Sequence, residues 1–267
     1  MLGIADTGDN LSHIEQMKVN LKTKLLQRVG EGGSIKAVTF DLDDTLWPVW
    51  PAVGRAERAM MVWLQQHAPR IVAQFDVEGL RDLRDQIARQ KPELDYHISL
   101  IRILAMREAA KAVGYAPEVG EQAFEVMWLE RNRVDLYEDV MPTLADIRKL
   151  NLVIGALSNG NADIDQVGLG NWFDFSLNPI NGGGPKPAEM MFLRAADLAQ
   201  CQPEQIVHVG DDVRSDVAGA AAAGMITVWL NREVDDCGGS SADFEISSLL
   251  QLPAILRELL LLSPASE

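Results

Sequence analysis

The sequence predicts an α/β fold: a doubly wound, mostly parallel sheet with an all-helical segment inserted after its first strand. Three observations carry this. Short apolar runs at Ile35 to Phe40, Leu152 to Leu157, Gln205 to Val209 and Ile226 to Leu230 read as strands buried on both faces. Segments of helical spacing separate these runs from residue 143 onward. Between about residues 52 and 134 the pattern is helical alone.

In chain order, residues 1–33 read as an N-terminal helical extension. Leu11 to Val29 has helical spacing, Gly30-Glu31-Gly32-Gly33 breaks it, and Met17 is an alternative start. The first strand follows and ends in acids. Four helices are expected over about 52–74, 77–90, 95–113 and 118–134, with Pro92, Gly114 and Pro117 marking breaks. After Pro142 come a helix over 143–150, the strand to Leu157, a helical segment near 163–169 and a short strand at Phe173 to Leu177. A helix over 188–200 leads to the strand ending at Val209. A helix over 214–223, the strand 226–230, a short strand at Phe244 to Ile246 and a helix to about Leu262 complete the chain. The expected organisation is therefore a core of residues 34–47 and 139–267, with a helical cap over 48–138.

Composition narrows the function classes. The net charge is 24 − 39 = −15, which argues against a nucleic-acid surface. Cys201 and Cys237 have no metal-site or disulfide spacing. They are expected as reduced thiols in a cytoplasmic protein. No basic n-region opens the chain, and the apolar stretch around Leu259 to Leu262 is too short to span a bilayer. A monomer or homodimer with no nucleic-acid or membrane partner is expected.

The chemistry lies at the strand ends, where doubly wound sheets bind ligands. Asp41 and Asp43 follow the first strand, Ser158 and Asn159 the second, and Asp211 and Asp212 a later one. Lys186 lies in the stiff turn Gly184-Pro185-Lys186-Pro187. Folded together, these carboxylates would repel one another without a cation. Mg²⁺ with a substrate phosphate suits such a site. Lys186 and the Ser158 hydroxyl suit phosphoryl oxygens. A carboxylate can act as nucleophile, and a second one two residues on can protonate the leaving oxygen.

Asp41-Leu42-Asp43-Asp44-Thr45, Ser158-Asn159-Gly160, Lys186 and Gly210-Asp211-Asp212-Val213-Arg214-Ser215-Asp216 stand in the order of the haloacid dehalogenase superfamily, which roughly residues 35–250 resemble. The resemblance implies a Rossmann-like core and a Mg²⁺-dependent phosphomonoesterase acting on a small phosphorylated metabolite. In it Asp41 is nucleophile and metal ligand. Asp43 is general acid/base, with its backbone carbonyl on the metal, and Asp211 is the third protein ligand. Ser158, the Asn159 backbone and Lys186 hold the phosphoryl group. Thr45, Asp212 and Asp216 support the site. Asp43 separates this pattern from the superfamily's dehalogenases, which lack the second acid. It does not separate it from phosphomutases, and a non-catalytic binding protein on the same scaffold is a further alternative. Within the superfamily, Thr39 to Leu46, Asn159-Gly160-Asn161-Ala162, Gly168-Leu169-Gly170 before Trp172-Phe173, and His208-Val209-Gly210-Asp211-Asp212 are similar to bacterial phosphatases acting on FMN and on 5-amino-6-(5-phospho-D-ribitylamino)uracil.

The inserted helices suit a lid. Trp47 and Trp50 at its first hinge would stack on a flavin or pyrimidine ring or else pack lid against core. Arg131 is a specificity candidate, with His97, Arg102 and Arg133 as further polar candidates. Surface ion pairing is the plainer expectation for each cap arginine. Trp63, Trp128, Met60, Met61 and Met127 are expected in the core of the insert, and His208 as a hydrogen-bonded core histidine.

Overall fold

The computed structural model describes residues 34–233 and 241–261. The expected 11–29 helix with Met17, Cys237 and Leu262 lie outside the described residues. Among the described residues six strands form one sheet: β1 (Ala37–Phe40), β2 (Val153–Leu157), β3 (Phe175–Leu177), β4 (Ile206–Gly210), β5 (Ile226–Leu230) and β6 (Phe244–Ile246). Their order is β3-β2-β1-β4-β5-β6, and every pairing is parallel. The chain lays β2 and β3 on one side of β1, then crosses back to lay β4 to β6 on the other. That reversal opens a crevice at the carboxyl ends of β1 and β4. Asp41 and Asp211 are the residues that follow those two ends.

Between β1 and β2 lie α1 (Val49–His67), α2 (Pro69–Gln74), α3 (Val77–Gln90), α4 (Ile98–Ala112), α5 (Pro117–Arg131) and α6 (Val140–Arg148). Later come α7 (Ile164–Val167), α8 (Glu189–Ala199), α9 (Gly219–Ala222) and α10 (Leu252–Leu261). The strands are apolar on both faces because both are covered. Val38 and Phe40 pack in one cluster with Leu144, Ile147, Leu256 and Leu259 of α6 and α10. Ala37 points the other way and packs with Met191, Phe192 and Ala195 of α8. The one polar side chain within β1, Thr39, is paired in register with His208 and bonds its Nδ1 at 2.8 Å.

Helices α1 to α5 have an apolar cluster of their own, including Met60, Leu64, Ile71, Met106 and Met127. Trp63 and Met61 pack at its margin. The single helix expected over 52–74 is two. Ala68 leaves helical geometry (φ −145°), and Pro69 starts α2 at a position where its missing N–H costs nothing. The helix expected over 214–223 also divides. Val213–Ala218 is a π-helical turn, and α9 follows it. Asp212 caps that turn by accepting from the Arg214 and Ser215 amides. The wider turn places Asp216 back under the site.

Candidate active site

The loop after β1 is set by its own residues. Leu42 and Leu46 are buried anchors, and the Leu46 amide donates to the Leu42 carbonyl at 2.8 Å. Asp44 takes φ 60°, a left-handed conformation that Asp tolerates better than most residues. Its Oδ1 accepts from the Val49 amide at 2.9 Å and so starts α1. Thr45 Oγ1 donates to Asp211 Oδ1 at 2.9 Å, joining the β1 and β4 loops.

Lys186 is the hub of the buried half. Its Nζ donates to Asp41 Oδ1 at 2.6 Å and to Asp216 Oδ1 at 2.5 Å. Asn159 holds it there. The Asn159 side chain accepts from the Lys186 amide and donates to the Lys186 carbonyl, both at 2.8 Å. Asp216 Oδ2 accepts from the Asp212 amide at 3.1 Å, and His208 Nε2 lies 3.3 Å from Oδ1. With Asp216 ionised, His208 presents Nε2–H to it and Thr39 donates to Nδ1. Gly210 is required here, since a Cβ would stand 2.3 Å from Asp216 Cγ.

The electrostatics follow from burial and charge. Burial would raise Asp216, but Lys186 and His208 outweigh it and hold the carboxyl at about 2. Burial opposes the Lys186 charge, yet Asp41 and Asp216 together keep the ammonium firmly protonated. Burial pushes Asp41 well above its ordinary 3.8, with Lys186 opposing and Asp216 and Asp211 reinforcing. Asp211 is raised to about 6, mainly by burial. Burial lowers His208 and keeps it neutral.

Asp41, Asp211 and Asp216 bring carboxylate oxygens within 4.8 Å of one another. All the donors are hard oxygens, and burial, reinforced by the neighbouring carboxylates, makes Asp41 and Asp211 resist ionising. This donor set fits a hard divalent cation such as Mg²⁺. Asp216 is engaged by Lys186, His208 and the Asp212 amide, whereas Asp41 and Asp211 are each held at Oδ1, by Lys186 and by Thr45, and are the better-placed candidates.

The remaining predicted residues divide. Ser158 is buried, and its Oγ accepts from the Gly160 amide at 2.9 Å. A Cβ on Gly160 would stand 2.5 Å from Asp43 Oδ2, so glycine lets this loop approach the acid. Asp43 accepts from Trp47 Nε1 at 2.8 Å and from Arg131 Nη2 at 2.6 and 2.7 Å. The surface ion pair expected of a cap arginine is wrong for Arg131. Its side chain is 6% exposed, and α5 delivers it to Asp43. Trp47 is not open to stacking on a ring, because it is fully buried in the core cluster and its indole N–H braces the acid. Trp50 is 74% exposed on α1. Asp212 is exposed and spends its carboxylate on capping. Arg133 is 74% exposed and pairs with Glu130. His97 stacks on Tyr96.

Beside Asp43 lies a cavity of about 150 Å³, walled by Val53, Ile98, Arg102, Phe124 and Arg131 among others. It shares Ile98, Trp128, Gly160 and Asn161 with a larger cleft of about 530 Å³. Trp128, expected in the insert's core, is a wall of both. The sequence reading missed one brace altogether. Arg232 pairs with Asp139 at 2.9 and 3.0 Å and donates to the Thr45 carbonyl at 2.9 Å. Its partners lie 93 and 187 residues away, so no local pattern announces them.

Residues 35–224 match the family model described as haloacid dehalogenase-like hydrolase. The 5-amino-6-(5-phospho-D-ribitylamino)uracil phosphatase YigB of Escherichia coli is 33% identical over 208 residues, covering 76% of this chain and 87% of that protein. A glyceraldehyde 3-phosphate phosphatase of Methanopyrus kandleri is 27% identical over 84% of this chain and 98% of its own. A crystal structure described as a 2-haloacid dehalogenase from Pseudomonas syringae is 36% identical, with a TM-score of 0.79 over 84% of this chain and 99% of that one. With the motif residues gathered at one crevice of the same fold, the chain belongs to the haloacid dehalogenase-like hydrolases.

Proposed function

We propose that this phosphoric monoester hydrolase works through an aspartyl-phosphate on Asp41, with Mg²⁺, on a small phosphorylated metabolite. The observation that carries the reading is the pairing of Asp41 with Lys186 at the bottom of the crevice and Asp43 at its rim, facing a cavity. Asp41 attacks phosphorus as the bond to the leaving oxygen breaks, and Asp43 gives that oxygen its proton. Water then attacks the phosphoryl group, Asp43 takes a proton from it, and phosphate leaves with Asp41 restored. Lys186, the Ser158 hydroxyl and the Asn159 backbone neutralise and orient the phosphoryl oxygens. Asp41, Asp211 and the Asp43 carbonyl would hold Mg²⁺, which supplies charge neutralisation for the transferring group. Helices α1 to α5 serve as the lid, and residues 34–47 and 139–267 as the core it closes on.

Asp43 favours phosphate over halide chemistry, because a departing halide needs no proton. For the substrate, the likeness to YigB and the motif similarity favour 5-amino-6-(5-phospho-D-ribitylamino)uracil or FMN. The cleft of about 530 Å³ next to Asp43's cavity offers room for such a leaving group.

Replacement of Asp41 by Asn is expected to lower phenyl phosphate hydrolysis by roughly three orders of magnitude or more, with the thermal unfolding transition retained. EDTA should remove activity, and Mg²⁺ should restore it. Full turnover by Asp41→Asn would remove Asp41 from the nucleophile's role. A metabolite-phosphate screen including FMN and sugar phosphates tests the substrate, and isomerisation without phosphate release would mark a phosphomutase instead.

A further inference from the structure

The cavity beside Asp43 holds two guanidinium groups whose hydrogen bonding is incomplete. Arg131 spends Nη2 on both oxygens of Asp43, at 2.6 and 2.7 Å. Its Nη1 is buried and, among the described residues, has no hydrogen-bond partner. The side chain is more than nine-tenths buried and forms part of the cavity wall. A buried donor without an acceptor is costly, so it marks a place where an acceptor belongs, reached from the cavity by a small shift of the Arg131 side chain.

Arg102 comes from α4 and lines the same cavity. Its Nη1 donates to Met127 Sδ at 3.7 Å, a weak acceptor, and it forms no ion pair among the described residues. Glu57, which shares a neighbouring recess with Arg102, is held by both fork nitrogens of Arg81 at 3.0 and 2.6 Å. Asp85 is held by Arg84. Burial lowers the Arg102 guanidinium to about 10, with Arg84 adding to the shift and Glu57 opposing it. The rest of the wall is mainly apolar, with Val53, Ile98, Phe124 and Trp128 suited to a carbon skeleton.

We propose that Arg131 and Arg102 recognise an oxygen acceptor on the substrate's leaving group, seated in the cavity between α1, α4, α5 and the Gly160-Asn161 loop. This rests on the phosphatase reading, because Asp43 must face the leaving oxygen for the cavity to hold what lies beyond it. The shared chemistry is an oxygen that accepts from guanidinium N–H groups, and a carboxylate and an amide-type carbonyl are its two sources. An alkyl leaving group without such an oxygen would occupy the apolar wall and leave both arginines as they are. Arg131 forks between the acid and the acceptor, and so fixes the leaving group relative to Asp43. A lysine, with one point of charge, could not do both.

The test measures binding by calorimetry with Mg²⁺ present, in an Asp41→Asn background that holds ligands without turning them over. Phosphoglycolate, phosphoglycolamide and ethyl phosphate serve as carboxylate, carbonyl and acceptor-free probes. Arg102→Met should weaken phosphoglycolate at least about tenfold more than it weakens ethyl phosphate. Arg131→Lys should do the same. An equal loss on phosphoglycolamide shows that a carbonyl suffices, and a loss on phosphoglycolate alone shows that the acceptor is anionic. Either outcome supports the proposal. Losses equal across all three probes would overturn it. The three probes are compared on one preparation, so a partly unfolded variant cannot imitate the result, and Arg102→Lys replaces Arg102→Met if the latter does not fold. Phenyl phosphate turnover by the unmodified enzyme is read separately: its absence would sink the phosphatase reading while the binding ratios still decide the arginine pair.

Discussion

The floor of the crevice and its roof are built on opposite principles. On the floor, Lys186 is 1% exposed and bonded to two carboxylates, and Asp216 is bonded to Lys186, His208 and an amide. The roof has one arginine branch on Asp43, another with no partner, and a third group resting on a methionine sulfur. A saturated network fixes geometry, and an unsaturated one leaves hydrogen-bonding capacity for a guest. On the proposed function, the floor would position the nucleophile and the phosphoryl group, and the roof would discriminate between leaving groups around Asp43.

The largest effect should come from breaking the floor. Lys186→Met strands Asp41 and Asp216 in a buried site. Removing one partner of a buried ion pair costs about 3–5 kcal/mol. Urea unfolding should show a loss on that order together with loss of phosphatase activity. A stability change under about 1 kcal/mol would mean that water reaches the floor and the network is not sealed.

Next comes the coupling of protons to the metal site. Asp211, at about 6, binds a proton more tightly folded than unfolded. With no metal bound, it therefore favours the folded state most at low pH. That contribution is lost as pH rises from its ordinary 3.8 through about 6. Mg²⁺ needs the ionised carboxylate, so its stabilising effect should run the other way. The rise in unfolding temperature on adding Mg²⁺ should be clearly larger at pH 7 than at pH 5. Equal rises at both values would mean that no carboxylate titrating near 6 holds the ion. Asp216 has the opposite sign and a separate window. Held at about 2, it contributes stability above its ordinary 3.8 that disappears as pH falls toward 2.

The same contrast explains what the sequence could show. The floor was legible because its residues sit at fixed offsets from strand ends: Asp41 after β1, Ser158 after β2, Asp211 after β4, and Asp216 one wide turn later. A buried parallel strand announces itself by composition, and the crevice follows from strand order. The roof was poorly legible because it depends on how helices rotate against one another. Arg131 and Arg133 are two residues apart, yet one is buried on Asp43 and the other is exposed. Arg133 lies just past the end of α5, and Trp47 lies in the loop before α1 while Trp50 lies on it, so the helix ends matter as much as the faces. Helical spacing places residues on faces, but it does not say which face meets the core. The Arg232 brace was invisible for a different reason, since its partners lie far along the chain.

The smallest effect probes the seam between floor and roof. Trp47 is a core side chain whose indole N–H bonds the acid at the cavity's edge. Trp47→Phe keeps most of the packing and removes one donor to Asp43. The stability cost should be about 1 kcal/mol. The kinetic cost should depend on how much the leaving oxygen needs a proton. Nitrophenolate leaves readily without one, whereas an alkoxide does not. Activity toward 4-nitrophenyl phosphate should therefore fall less than activity toward an alkyl phosphate, with a several-fold difference between the two. If both fall alike, Trp47 is only packing, and the positioning of Asp43 rests with Arg131 alone.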